Sequence, residues 1–222
     1  MLAPAGPSWA LAVTHDAIAT IERTVDSSTR PDPYGRGMAT TPMLAAVLAG
    51  GGSTRMGRDK ATLPWRGGTL LGHVCAVARE AGLAVAVVGR AAPAGFRTIA
   101  DELPGEGPLA ALATVLAAHD GAVLLLACDL PRLDAEAVRW LAALPCGADG
   151  AVLEIDGRLQ TCCAIYHQRC LPAARARLAE GRRSLHALVE AGDFARNACP
   201  PALTQRFVDV DTEEEWGRAL GP

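Results

Sequence analysis

The segment of this chain best suited to handling phosphate is Leu48-Ala49-Gly50-Gly51-Gly52-Ser53-Thr54-Arg55-Met56-Gly57-Arg58-Asp59-Lys60. Three consecutive glycines follow an apolar run, and without Cβ atoms they let backbone amides come close to a ligand. Arg55 and Lys60 add fixed positive charge of the kind a polyphosphate needs. Neither common phosphate motif is met. A P-loop requires Gly-Lys-Ser/Thr, and here Gly57 is followed by Arg58. A dinucleotide fingerprint requires glycine three places after Gly52, where Arg55 stands. A second chemical position is Asp129, which follows the apolar run Ala122–Cys128. A carboxylate at the end of a buried strand is costly unless an opposite charge accompanies it.

These residues need a scaffold, and the punctuation of the chain supplies one. Leu44–Leu48 reads as a strand that ends in glycines 50–52. An alanine-rich helix covers Leu70–Ala81, Gly82 stops it, and Val85–Val88 forms a second strand. A helix over Pro108–His119 and a buried strand over 122–127 follow. Asp134 caps a helix running to about Leu144, with Glu136 in its first turn. Val152–Ile155 and Leu159–Ile165, joined by Asp156-Gly157, read as a hairpin. Helices near 171–180 and 184–191, a strand Arg206–Val210 and a last helix capped by Thr212 complete the order. Strands alternating with helices imply a mostly parallel α/β sheet covered on both faces, with ligands outside the carboxyl ends of the strands. That rule selects loops 49–66, 89–107 and 128–133. Residues 1–42 contain Pro4, Pro7, Pro31, Pro33 and Pro42 and read as a flexible extension before a domain over 43–222.

Composition narrows the function. The chain has 222 residues, half of them apolar, enough to bury a full core. Lys plus Arg number 21 against 24 Asp plus Glu, a net charge of −3, which disfavours nucleic-acid wrapping or an anionic membrane as the main business. No apolar run approaches the ~20 residues of a membrane span. Seven cysteines, none in a Cys-x-x-Cys pair, fit neither a zinc site nor a disulfide scaffold. A basic n-region ahead of an apolar core is lacking near Met1, so the reading is a cytoplasmic protein.

The loop 48–63 resembles the L-A-G-G-x-S-x-R-M-G-x-D-K-x-x-L pattern of nucleotidyltransferases, and is most similar to molybdenum cofactor guanylyltransferases. The resemblance runs from about Met43 to Leu220. It implies a three-layer, Rossmann-like nucleotidyltransferase fold of GT-A type with a small hairpin on the acceptor side. It also implies transfer of GMP from GTP to the terminal phosphate of molybdopterin, with loss of pyrophosphate. In that scheme Leu48, Ala49, Gly50, Gly51 and Gly52 cradle the nucleotide, and Arg55 and Lys60 offset its charge. Asp101 through Ala110 resembles an aspartate followed by a Gly-Pro-Leu-Ala turn, so Asp101, Gly107, Pro108 and Leu109 would hold the guanosine. Gly107 frees the turn and Pro108 opens the helix. A carboxylate facing guanine N1 and N2 rejects adenine, whose edge lacks that donor pair. Cys128-Asp129-Leu130-Pro131 resembles the family's C-D-x-P, whose aspartate is implied to bind Mg2+.

Three further segments resemble the acceptor side. Gln160–Tyr166 matches Q-P-L-C-A-V-Y with Thr161 for proline, and Arg182-Arg183-Ser184-Leu185 contains the family's R-S-L. Asp209-Val210-Asp211-Thr212-Glu213-Glu214 matches N-x-N-T-P-E-D with both asparagines changed to aspartate. Gln160, Arg182, Ser184, Asp209 and Asp211 are thereby implied in acceptor binding. Extra negative charge there disfavours a phosphate monoester unless a metal or arginine neutralises it. Molybdoenzymes or their chaperones would receive the product. The open alternatives are cytidylyl transfer to molybdopterin, a sugar-phosphate nucleotidyltransferase, and a non-catalytic nucleotide- or cofactor-binding protein. A phosphate nucleophile is already ionised at neutral pH, so no general base is needed, and His167 is the one histidine near the acceptor strand.

Overall fold

The computed structural model describes residues 41–50 and 59–220. The expected extension falls almost wholly outside the described residues, as do Gly51, Gly52 and Arg55.

The short apolar runs form strands and the alanine-rich stretches helices, in the order expected from their punctuation. Strand β1 (Leu44–Leu48) is followed by a two-residue hairpin, β2 (Pro64–Trp65) and β3 (Gly68–Thr69), and helix α1 (Leu70–Glu80). Then come β4 (Ala84–Val88), β5 (Arg97–Ile99), α2 (Pro108–Ala118), β6 (Val123–Ala127) and α3 (Ala135–Ala142). The remainder is β7 (Gly150–Ile155), β8 (Arg158–Tyr166), α4 (Leu171–Ala179), α5 (Leu185–Ala191), β9 (Phe194–Ala198), α6 (Pro201–Thr204) and α7 (Glu213–Leu220). Caps set several boundaries. Thr69, Asp134 and Ser184 each accept a backbone N–H three residues on, and Pro108 opens α2.

Among the described residues the main sheet has seven strands in the order β5-β4-β1-β6-β8-β7-β9. All pairings are parallel except those of β8, which runs against both β6 and β7. The expected hairpin is β7–β8, turned by Asp156 and Gly157, both at positive φ, and it is built into this sheet.

Side chains alternate across the central strands, and both faces are buried. Ala45, Val47, Leu124 and Leu126 face α1 and α3; Leu44, Ala46, Val123 and Leu125 face α2 and α5. A third cluster joins Leu63, Trp65, Leu70, Val210 and Trp216, and so ties the β2–β3 hairpin to the C-terminal helix.

Several elements differ from the sequence reading. Arg206–Val210 is not a strand: Gln205–Phe207 is a 3-10 turn, Val208 is extended, and no regular element follows until α7. Its apolar residues go to different places, Phe207 to the core under α3 and Val210 to the third cluster, so no two-residue repeat faces one layer. The missing strand is β9, Phe-Ala-Arg-Asn-Ala, at the edge of the sheet. An edge strand needs little apolar alternation, which is why its sequence did not announce it. Short β5 also lies inside what read as a loop.

Candidate nucleotidyl-transfer site

Register places the ends of three strands together. Leu48 pairs with Val88 on one side and Ala127 on the other, so the loops after β1, β4 and β6 leave the same edge. Gly50 remains against that edge. Ala49 N–H donates to Val88 O at 2.9 Å, and Gly89 lies so close to Gly50 that a Cβ on residue 89 would sit 2.7 Å from Gly50 N. Gly89 also has φ +95°, so two requirements meet at one residue.

Lys60 opens a 3-10 turn, Lys60–Thr62, capped by Asp59, whose Oδ1 accepts from Ala61 N–H at 3.1 Å. The other carboxylate oxygen of Asp59 pairs with Arg90 Nη2 at 2.5 Å. Arg90 directly follows Gly89, and so links the end of β4 to the turn carrying Lys60.

Asp129 follows β6, and its carbonyl accepts from Val210 N–H at 3.2 Å. That single bond docks the 208–211 segment beside it. A reciprocal cap holds the segment from the other side. Glu215 accepts from Asp211 N–H and Thr212 N–H at 2.8 and 3.0 Å, while Thr212 Oγ1 accepts from Glu215 N–H at 3.2 Å. The result is a group of three carboxylates, Asp129, Asp209 and Asp211, whose oxygens lie within 4.8 Å of one another. Lys60 Nζ bonds to Asp129 Oδ2 at 3.0 Å and to Asp211 Oδ1.

The charges respond accordingly. Burial works against the Lys60 ammonium, but its bonds to Asp211 and Asp129 outweigh this and raise its pKa above that of an ordinary lysine. Desolvation, with the charges of Asp129 and Asp211, pushes Asp209 up. Burial also holds the neighbouring thiols protonated, Cys128 at about 12 and Cys162 at about 11, which argues against a thiolate nucleophile.

The base and acceptor segments are placed as follows. Asp101 is half-buried, and its Oδ1 accepts from Leu103 N–H at 3.0 Å. Gly107, at φ +88°, precedes Pro108 and the buried Leu109 at the start of α2. Arg183 pairs with Glu106, so the turn before α5 reaches the loop before α2. Ser184 caps α5 through Ala187 N–H, Arg182 pairs with Glu180, and Gln160 lies at the hairpin end of β8. No bond joins these three to Asp129 among the described residues.

Asp209 and Asp211 read as acceptor residues in the sequence, and the structure groups them with Asp129. His167 is at the wrong end. Tyr166 pairs with Val123 at the amino end of β6, and His167 Nδ1 lies 3.1 Å from Ala148 O. Sequence reasoning also missed Gly89 and Arg90, whose signal was a glycine immediately after an apolar strand.

A family model, the MobA-like NTP transferase domain, matches residues 45–196. The chain belongs to the MobA-like NTP transferase family. It is an enzyme of the nucleotidyltransferase class. Among relatives of this family, a probable molybdenum cofactor guanylyltransferase of Mycobacterium tuberculosis (strain ATCC 25618 / H37Rv) is 38% identical over 172 residues. That match spans 71% of this chain and 84% of the relative. The same fold is found in molybdopterin-guanine dinucleotide biosynthesis protein A of Archaeoglobus fulgidus, with TM-score 0.65 and 19% identity over 80% of this chain and 96% of that one. It also occurs in a Mycobacterium tuberculosis H37Rv protein in complex with manganese, with TM-score 0.55 and 22% identity over 82% of this chain and all of that one. No described helix is long and apolar enough to cross a membrane.

Proposed function

We propose that this MobA-like NTP transferase moves GMP from GTP to the terminal phosphate of molybdopterin and releases pyrophosphate. The observation that carries the reading is the cluster of Lys60 with Asp129 and Asp211 beside the glycine end of β1. The names of the curated relatives support the choice of base and acceptor.

The donor set suits a hard divalent cation. Three carboxylates within 4.8 Å offer oxygen ligands, and a lysine already supplies positive charge among them. Asp129, Asp209 and Asp211 would hold Mg2+ or a similar ion, which would supply positive charge to offset that of the nucleotide phosphates. Lys60, released from those carboxylates, would turn to the phosphates, together with Arg55 and the amides of Gly50, Gly51 and Gly52. A phosphate oxygen of the acceptor attacks the α-phosphorus of GTP, and the bond to the bridging oxygen of pyrophosphate breaks. The electron pair leaves with that oxygen, where positive charge from Lys60 is best placed. Positioning and charge do most of the work in such transfers.

On the base side, Leu48, Ala49, Asp101, Gly107, Pro108 and Leu109 would enclose the guanosine. Gln160, Arg182 and Ser184 are assigned to the acceptor. The seven free cysteines accord with a cytoplasmic setting, and molybdoenzymes or their chaperones would take the product.

Calorimetry with GTP, CTP and ATP in the presence of Mg2+ tests the reading. The expected result is selective GTP binding that Asp101→Ala abolishes. Preference for CTP would move the protein to cytidylyl transfer, and absence of nucleotide binding would overturn the assignment.

A further inference from the structure

We propose that Thr114 is a positioning residue for base selection and acts through Asp101. The inference rests on the reading above, in which Asp101 meets the base. Helix α2 is buried from Leu109 through Leu116, and an apolar side chain would satisfy every position in that stretch. Thr114 is the exception. It is the one buried aliphatic hydroxyl among the described residues, only 4% exposed. Buried hydroxyls are kept where they are bonded, and the bonds of this one lead out of the helix.

Thr114 Oγ1 accepts from Glu102 N–H at 3.3 Å and lies 3.4 Å from Asp101 Oδ1. It also lies 3.0 Å from Ala110 O, one turn back in α2. A hydroxyl has one proton, so Ala110 and Asp101 compete for it. The Glu102 bond fixes the loop whichever acceptor is chosen. The backbone N–H of Leu103 donates to Asp101 Oδ1 at 3.0 Å, and the Thr114 hydroxyl becomes a second donor to that oxygen when its proton turns from Ala110 O, while neither group reaches Oδ2. The plane of the carboxylate is thereby set, with Oδ2 left to accept from a ligand. The matching ligand edge carries adjacent N–H donors, as in a 6-oxo-2-aminopurine. Such an edge is read by both direction and distance, so a carboxylate free to rotate loses discrimination before it loses affinity for the phosphates.

The test uses the full chain with Mg2+. Dissociation constants for GTP and for ITP, which lacks the 2-amino group, are measured by calorimetry for wild type, Thr114→Val and Thr114→Ser. Wild type is expected to prefer GTP. Thr114→Val, equal in shape but without the hydroxyl, is expected to bring the GTP/ITP ratio to within about twofold of one, with loss of one good hydrogen bond's discrimination. Thr114→Ser should restore it. A purely structural threonine would alter the melting temperature and leave the ratio unchanged, and an unchanged ratio in Thr114→Val overturns the proposal. If the valine variant does not fold, Thr114→Ala gives the same ratio. Failure of the underlying reading looks different, since wild type itself would then show no preference for GTP over ITP or CTP.

Discussion

Lys60 fills, among the three carboxylates at the end of β6, the place that a metal ion's charge would take. It bonds to Asp129 at 3.0 Å and to Asp211, and its side chain is 15% exposed. A cation entering the group must displace it. Lys60→Met should therefore tighten Mn2+ binding in the absence of nucleotide, by about tenfold if one well-made ion pair is lost. Electron paramagnetic resonance of free Mn2+ measures this, and equal affinity in both proteins would remove the competition from the account. Turnover should move the other way, falling about a hundredfold, because the charge offered to the departing pyrophosphate is gone. At this scale the sequence was partly legible. Lys60 stood out as a charge that closes the glycine-rich stretch after the first strand, and Asp129 as a charge directly after the apolar run that ends in Cys128. Arg90 and Thr114 did not. The first acts through Asp59 and the second through Asp101, and such indirect roles depend on proximity that spacing alone does not encode.

Elements hold these residues through close backbone contacts. Gly89→Ala would force a Cβ to 2.7 Å from Gly50 N at φ +95°. About 2–4 kcal/mol of stability should be lost, and nucleotide affinity with it, since Gly50 is displaced. Urea unfolding measures the first and calorimetry the second; a fully stable variant with normal affinity would contradict the packing argument. The reciprocal cap of α7 is a milder case. Thr212→Ala should cost about 1 kcal/mol and loosen the segment that presents Asp209 and Asp211. Hydrogen exchange at Asp211 and Thr212 would rise if so. Helices were the easiest elements to read, because caps such as Asp134 and Thr212 and the proline at 108 mark their starts. Strand β9 was not readable, since Phe194 is its one large apolar residue and its partner β7 contacts one side only. The 206–210 stretch misled for the opposite reason: its Phe and Val residues look strand-like, but Val210 N–H is used to dock on Asp129 O.

For the whole molecule, the regular alternation of apolar strand and alanine-rich helix was sufficient to give a parallel α/β sheet with its ligand loops at one edge. Strand order was not given by that pattern, because β8 reverses direction and enters between β6 and β7. Stability of the assembled domain should depend on pH through two histidines. Burial lowers the pKa of His73 and, in the same way, of His119. Their folded values lie below 6.5, so the unfolded chain takes up protons first as pH falls. Stability is therefore complete above about pH 6.5 and declines as pH drops through the folded values. Thermal unfolding between pH 7.5 and 5.5 should show this decline, and a variant carrying His73→Gln and His119→Gln should show a flatter one. An identical slope in that variant would place the dependence elsewhere.

The central claim concerns the chemistry at Asp129, and pyrophosphate release tests it most directly. Purified protein is mixed with GTP, a divalent cation and molybdopterin, and release is followed with and without the acceptor, in wild type and Asp129→Asn. The account predicts release that requires all three components and falls about a hundredfold or more in the variant. Release at the wild-type rate in Asp129→Asn, or none from any nucleotide with the acceptor present, would contradict it.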